Sequence, residues 1–163
     1  MRTLHCKDAE MQRAAEEIAL RACSIDDAEA LVALRIAAMR PSLEKAGRFD
    51  PQRARERFLD GFQPAHTQWI LCNGQIAGFF VVKPQADLLL LDHLYIHPDF
   101  QNRRLGAAAL HAVFQRADAA GLPIRVGALR GSDSNRFYQR HGFVQSDETE
   151  WDIHYLRQPR AKT

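Results

Sequence analysis

Residues 94–108 read Leu94-Tyr95-Ile96-His97-Pro98-Asp99-Phe100-Gln101-Asn102-Arg103-Arg104-Leu105-Gly106-Ala107-Ala108, passing from an apolar run through a basic loop into small residues. The apolar side belongs to LLLLDHLYIH, residues 88–97, whose length and continuity predict a central strand covered on both faces. The far side predicts the start of a helix. N–H groups there have no intrahelical acceptor and the helix dipole is positive, so amides from about Asn102 to Ala107 can wrap an anion such as a pyrophosphate. Gly106 and Ala107 permit close approach, and Arg103 and Arg104 add fixed positive charge suited to a phosphorylated ligand or to RNA.

Downstream, Leu110, Val113, Phe114 and Ala117 recur at helical spacing. They predict a helix over about 105–120 that stops at Gly121-Leu122-Pro123. IRVGAL (124–129) reads as a short strand, Ser132 as a cap for a helix ending at Gly142, and FVQS and WDIHYL as two closing strands. Upstream, TQWILC (67–72) and QIAGFFVV (75–82) flank Asn73-Gly74, the strongest short hairpin signal a sequence offers. Before them, QRARERFLDGF predicts a basic helix opened by Asp50-Pro51. The spacing of Ala30, Leu31, Leu34, Ala37 and Ala38 predicts another helix, ending before Pro41. Ile18, Leu20 and Ala22 give a weak strand signal, and residues 1–16 lack an apolar stripe and read as an N-terminal arm. The expected architecture is a single mixed α/β domain over 17–163, with a mostly antiparallel sheet of about seven strands flanked by four helices.

The 163 residues carry 22 basic and 20 acidic side chains, too even a balance to announce a nucleic-acid or membrane-surface protein. Cys6, Cys23 and Cys72 lie far apart, and the seven histidines form no HExxH. No disulfide framework and no metal are therefore expected. No apolar run approaches the length of a membrane helix, and the charged start has no signal-peptide core. A cytoplasmic location is the expectation.

Gln101-Asn102-Arg103-Arg104-Leu105-Gly106 resembles the acetyl-coenzyme A (acetyl-CoA) loop of the GCN5-related N-acetyltransferase (GNAT) superfamily, Q/R-x-x-G-x-G/A. Phe137-Tyr138-Gln139-Arg140-His141-Gly142-Phe143 is similar to the superfamily's second signature, F-Y-x-x-x-G-F. The first match departs at Arg104, where the family usually has glycine, so a Cβ stands where pyrophosphate normally meets bare backbone. The resemblance, which spans about residues 18–157, implies the GNAT fold. It also implies direct transfer of an acetyl group from acetyl-CoA to a primary amine of a small molecule or peptide, in a ternary complex.

On that resemblance, Gln101, Asn102, Arg103, Arg104, Leu105, Gly106 and Ala107 hold the pyrophosphate, and Leu94, Tyr95 and Ile96 give main-chain bonds to pantetheine. Tyr138 protonates the departing thiolate, although an amphipathic-helix core offers the same residue a packing role. Asp92, two residues before Leu94, is the first choice of general base; it equally fits a loop cap or an arginine pair, and His93 competes with it. Asn135 suits either the pantetheine arm or a local helix cap. The acceptor should meet Arg40–Asp50, Trp69 and Glu150-Trp151-Asp152, and the cysteines read as core or arm residues rather than acyl carriers. A non-catalytic acyl-CoA-binding regulatory module is the alternative, motivated by Arg104. An RNA-binding role ranks below both, for want of stacking motifs and basic excess. An exposed late strand offers a face for a homodimer.

Overall fold

A computed structural model describes residues 16–161, so the expected arm, apart from Glu16, lies outside the described residues. Seven strands form one sheet in the order β1-β2-β3-β4-β5-β7-β6. They are β1 (Ile18–Ala22), β2 (Thr67–Cys72), β3 (Gln75–Pro84), β4 (Leu89–Ile96), β5 (Ile124–Leu129), β6 (Val144–Glu148) and β7 (Asp152–Arg157). Every neighbouring pair is antiparallel except β4–β5. Four helices, α1 (Ala28–Lys45), α2 (Pro51–Asp60), α3 (Leu105–Ala120) and α4 (Ser134–Arg140), complete the mixed α/β fold.

The hairpin β2–β3 turns at Asn73 and Gly74, with φ of 51° and 80°. A two-residue turn of the primed type needs both residues in the left-handed region, and Asn-Gly tolerates it. Asp50 caps α2 by accepting the Arg53 N–H at 3.1 Å, with Pro51 in the first turn. Gly121, at φ 68°, ends α3. The expected end of α1 before Pro41 is corrected, because the helix continues through Pro41 to Lys45. The ring removes one N–H, but the last turn is held by the Arg40–Glu44 ion pair at 2.7 Å and by backbone bonds from Ala46 to Ser42 and from Arg48 to Leu43.

The sheet buries both faces. On one, Ile70, Phe80, Val82, Leu89 and Leu91 pack with Leu105, Leu110, Val113 and Ala117 of α3 and with Tyr138 of α4. On the other, Trp69, Phe79 and Val81 pack with Leu31, Val32 and Leu34 of α1 and Phe58 of α2. Two cores of this kind explain why β3 and β4 read as continuous apolar runs rather than alternating ones.

The carboxyl end of the chain is tied to α3 through Arg157, which is 3% exposed and donates to Asp118 at 2.8 and 3.2 Å. Its guanidinium also lies 3.9 Å from the Phe114 ring centroid, and Asp118 accepts the Arg160 N–H. These bonds, Arg157's first, hold the Asp118 carboxyl down to about 2 from its ordinary 3.8. A depressed carboxyl stabilises the fold above its unfolded value, and that contribution fades as pH falls through the folded one. The melting temperature of wild type should therefore exceed that of Asp118→Asn by a constant margin above about pH 5 and lose that margin between about pH 4 and 2. A margin that does not change in acid would show that Asp118 contributes nothing through its charge.

Candidate active site

The parallel pair β4–β5 is short: Leu89, Leu90 and Leu91 face Ile124, Arg125 and Val126, and no pairing follows. β4 continues to Ile96 beside β3, and β5 continues to Leu129 beside β7. Beyond Leu91 the two strands part, and the sheet opens. A cavity of about 120 Å³ fills the opening, lined by Asp92, His93, Leu94 and Tyr95 of β4, Gly127, Ala128 and Leu129 of β5, Ala38, Met39 and Ser42 of α1, and Ser134 and Tyr138 of α4. It therefore passes through the sheet, from the α4 side to the α1 side. A second hollow of about 320 Å³ shares Ser42 and Ser132 with it and is lined by Pro41, Lys45, Arg130 and Asp133.

On the α4 side, Tyr138 is 5% exposed, and its ring lies 5.4 Å from Phe143 and from Phe137. Burial raises the phenol above its ordinary 10, so it keeps its proton at any working pH. Asn135 has its side chain committed. Its amide donates to Leu129 O and Ser132 O, each at 2.9 Å, and its carbonyl accepts from Tyr155 Oη at 2.8 Å. Both amide protons are thus engaged on carbonyls of the turn before α4, which is not the bond of a helix cap, whose side chain accepts a backbone N–H.

At the start of α3, Asn102 and Arg104 take left-handed backbone, with φ of 66° and 61°. Among the described residues, the N–H groups of Asn102, Arg103, Arg104, Leu105, Gly106 and Ala107 donate to no acceptor in the chain, and helical bonding begins at Ala108 N–H to Arg104 O. A run of free amides at a helix start, bent by left-handed residues, is a nest for an anion. Gln101 reaches back to Ile96 O at 3.3 Å, and Arg103 lies near Glu16 and over Phe100. Gly106 also meets a second demand. A Cβ there would stand 3.1 Å from Phe137 Cζ, so its smallness serves the contact between the two signature segments.

Asp92 occupies a β-bulge. Val81 pairs with His93 and Val82 with Leu91, leaving Asp92 without a partner in β3. The bulge breaks simple alternation: Leu91 and Leu94 pack with α3 and α4, while His93 and Tyr95 contact Phe79 on the α1–α2 side. The expectation that Asp92 and Leu94 share a face by period two is therefore corrected. Asp92 forms an ion pair with Lys83 of β3 at 3.0 Å and lies 3.5 Å from His93 Nε2. Burial, the largest cause, lowers the His93 imidazolium to about 4 against the pull of Asp92, with Arg35, Lys83 and Arg57 adding to the lowering.

Trp69 is 1% exposed under α1 and α2, so it is core and not an acceptor wall. Arg48, by contrast, lies 3.9 Å from the Trp151 ring centroid and joins the α1–α2 loop to the β6–β7 turn. Arg130 grips that turn through Thr149 O at 2.7 Å and Glu148 at 3.2 Å. The Cys23 thiol is pushed up to about 12 by burial and Cys72 is buried, so neither is a ready nucleophile. Among the described residues, no group of three His, Cys, Asp or Glu is placed to hold a metal, and no helix is long and apolar enough to cross a membrane.

With that geometry in view, the sequence profile of the acetyltransferase (GNAT) domain matches residues 64–145, half of the chain, including β4, the amide nest and α4. The chain belongs to the GNAT acetyltransferase family. No curated protein sequence matches it. Among solved structures it is similar to the PaiA N-acetyltransferase of Thermoplasma acidophilum in complex with coenzyme A, at 18% identity and TM-score 0.72, covering 87% of this chain and 99% of the other. The ribosomal-protein-S18-alanine N-acetyltransferase of Escherichia coli matches at 16% identity and TM-score 0.69 over 90% and 97% of the two chains. N-acetylglutamate synthase of Neisseria gonorrhoeae, complexed with coenzyme A and N-acetyl-glutamate, matches at 17% and 0.64, over 88% of this chain and 35% of that one. At such identities these likenesses establish the GNAT fold and leave the acceptor open.

Two residues that matter to this GNAT site escaped the sequence reading. Gly78, inside β3, lies against the backbone of Tyr95 and Ile96; an isolated glycine in a strand signals such an approach. Arg35 is 8% exposed on α1, and nothing in its helical spacing distinguishes it from a surface arginine.

Proposed function

We propose that this GNAT protein transfers the acetyl group of acetyl-CoA to a primary amine of a small molecule or peptide, by direct attack within a ternary complex. The observation that carries the reading is the cavity at the parting of β4 and β5, which joins Tyr138 on one side to Asp92, His93 and Tyr95 on the other. The free amides from Asn102 to Ala107 suit the pyrophosphate of the donor, with Gln101, Arg103 and Arg104 around them. The main chain of Leu94, Tyr95 and Ile96, unpaired on its β5 side, suits an extended amide-bearing arm. When bound, the donor supplies an acetyl group activated as a thioester. The chain's own tasks are to orient that arm, to take a proton from the acceptor's ammonium through Asp92, and to supply one from Tyr138 Oη to the leaving sulfur. Asn135 contributes by holding the Ser132 turn and Tyr155 in place.

Calorimetric titration with acetyl-CoA, followed by thiol release against polyamines, amino acids, aminoglycosides and N-terminal peptides, tests the reading. Saturable binding with release on at least one acceptor is expected. Binding with no release on any would favour the acyl-CoA-binding regulatory module, and no binding would overturn both.

Arg104 sharpens the donor side. A non-glycine residue in left-handed backbone is strained by about 1–2 kcal/mol, partly offset because glycine is freer in the unfolded chain. Arg104→Gly should raise the melting temperature by a few degrees and bind acetyl-CoA at least as tightly as wild type, since the Cβ leaves the nest as the charge does. Arg104→Ala keeps the Cβ and loses the charge, so it should bind more weakly than either. Weaker binding by Arg104→Gly than by wild type would show that the Arg104 charge outweighs backbone approach.

A further inference from the structure

A helix that turns its inner face to a core rarely buries an arginine without a carboxylate. Arg35 of α1 is such a case: among the described residues it has no acidic partner, and its Nε is buried with none at all. One end of its guanidinium donates to Ala54 O, and its positive charge acts on the Tyr95 phenol. Tyr95 Oη lies 3.4 Å from His93 Nδ1, and His93 Nε2 lies 3.5 Å from Asp92 Oδ2. Tyr95, His93 and Asp92 all line the cavity. The His93 ring is clamped edge-to-face by Phe58 at 5.3 Å.

We propose that Tyr95, His93 and Asp92 form a proton relay leading out of the cleft, with Arg35 as its positioning residue; the proposal rests on the acetyl-transfer reading above. Arg35 can only donate. Its charge draws the lone pairs of Tyr95 Oη and turns the phenol hydrogen toward His93 Nδ1, 3.4 Å away, which fixes the imidazole as the Nε2–H tautomer facing Asp92. An ammonium in the cleft gives a proton to Tyr95 Oη as the phenol hydrogen passes to His93 Nδ1 and the Nε2 hydrogen passes to the Asp92 carboxylate. Only N–H and O–H bonds change, and the acceptor is left as the free amine that attack requires. Asp92 is one-third exposed and paired with Lys83, so it returns the proton to water, and exchange at the two ring nitrogens restores the starting tautomer. The groups facing His93 are Arg35 from α1, Arg57 from α2, Lys83 from β3 and Asp92 and Tyr95 from β4, and Asp152 of β7 adds its field at Tyr95. Burial with this mostly cationic ring of neighbours keeps the imidazole neutral near pH 7, ready to pass a proton without storing one.

The test joins nitrogen NMR of the histidine rings in the full chain with acetyl transfer to two probes of nearly equal size, methylamine and hydroxylamine. At pH 7 the first is almost wholly protonated and the second is neutral. His93 should carry its hydrogen on Nε2 in wild type and lose that preference in Tyr95→Phe. The same variant should lower kcat/KM for methylamine by about 10²-fold and for hydroxylamine by less than about 3-fold, at unchanged acetyl-CoA affinity. Arg35→Met should repeat the pattern, and Arg35→Lys should restore part of it. Equal losses on the two amines, or a hydrogen on Nδ1 in wild type, would overturn the relay. A wild type with the Nε2–H tautomer that binds acetyl-CoA yet acetylates no amine would overturn the transfer reading and leave the array a structural one.

Discussion

Replacing Tyr138 by Phe should lower turnover by about 10²–10⁴-fold, the span that one positioned acid commands, and leave acetyl-CoA affinity within about twofold. The substitution removes one oxygen from a ring that stays packed on Phe137, Phe143 and Tyr155. Among the described residues no chain atom hydrogen-bonds that oxygen, so its loss orphans no partner and stability should hardly change. Burial raises the phenol, and a raised phenol stays protonated to higher pH than one in water. Wild-type turnover should therefore show no alkaline loss assignable to this group up to about pH 10. Thiol release by wild type and Tyr138→Phe across pH 6–10 decides it. A loss below about threefold would return Tyr138 to the core and leave the leaving thiolate to water.

Parts of this site were legible because they rest on local chemistry. Asn73-Gly74 specifies its own turn, Gly121 its own helix end, and the run from Gln101 to Gly106 its own bend into α3. What was not legible depends on partners distant in sequence. The bulge at Asp92 arises because β4 must satisfy β3 on one edge and part from β5 on the other. No property of Asp92 announces that, and an alternation argument crosses it unaware. Trp69 reads from sequence as part of an acceptor wall although two helices cover it, because an aromatic in a strand reads alike on either face. Pro41 on sequence alone predicts the end of α1, but the Arg40–Glu44 pair and the bonds of Ala46 and Arg48 sustain one more turn. Arg35 looks like any surface cation until α1 is laid against Tyr95.

Gly78→Ala should be the most damaging single-carbon change on the sheet. Gly78 pairs with Ile70 on one side and Ile96 on the other. A Cβ built there collides with Tyr95 O and stands 2.8 Å from Ile96 Cδ1. The first obstacle is backbone, which cannot rotate away, so β3 and β4 must separate locally. Overpacking of this kind costs about 2–3 kcal/mol, or about 5–10 °C in melting temperature for a chain of this size. The displaced stretch, Tyr95–Ile96, is the edge proposed to hold the donor's arm and carries the first relay group, so acetyl-CoA affinity should fall with the melting temperature. Gly127→Ala is the control for stability, because its new methyl meets only the His154 ring, at 3.1 Å, and a side chain can swing aside. Thermal unfolding of both variants separates the cases, with calorimetry on Gly78→Ala for the donor. Equal small losses would show that the β3–β4 contact yields easily, whereas a large loss confined to Gly78→Ala ties the shape of the donor edge to the absence of one methyl group on the neighbouring strand.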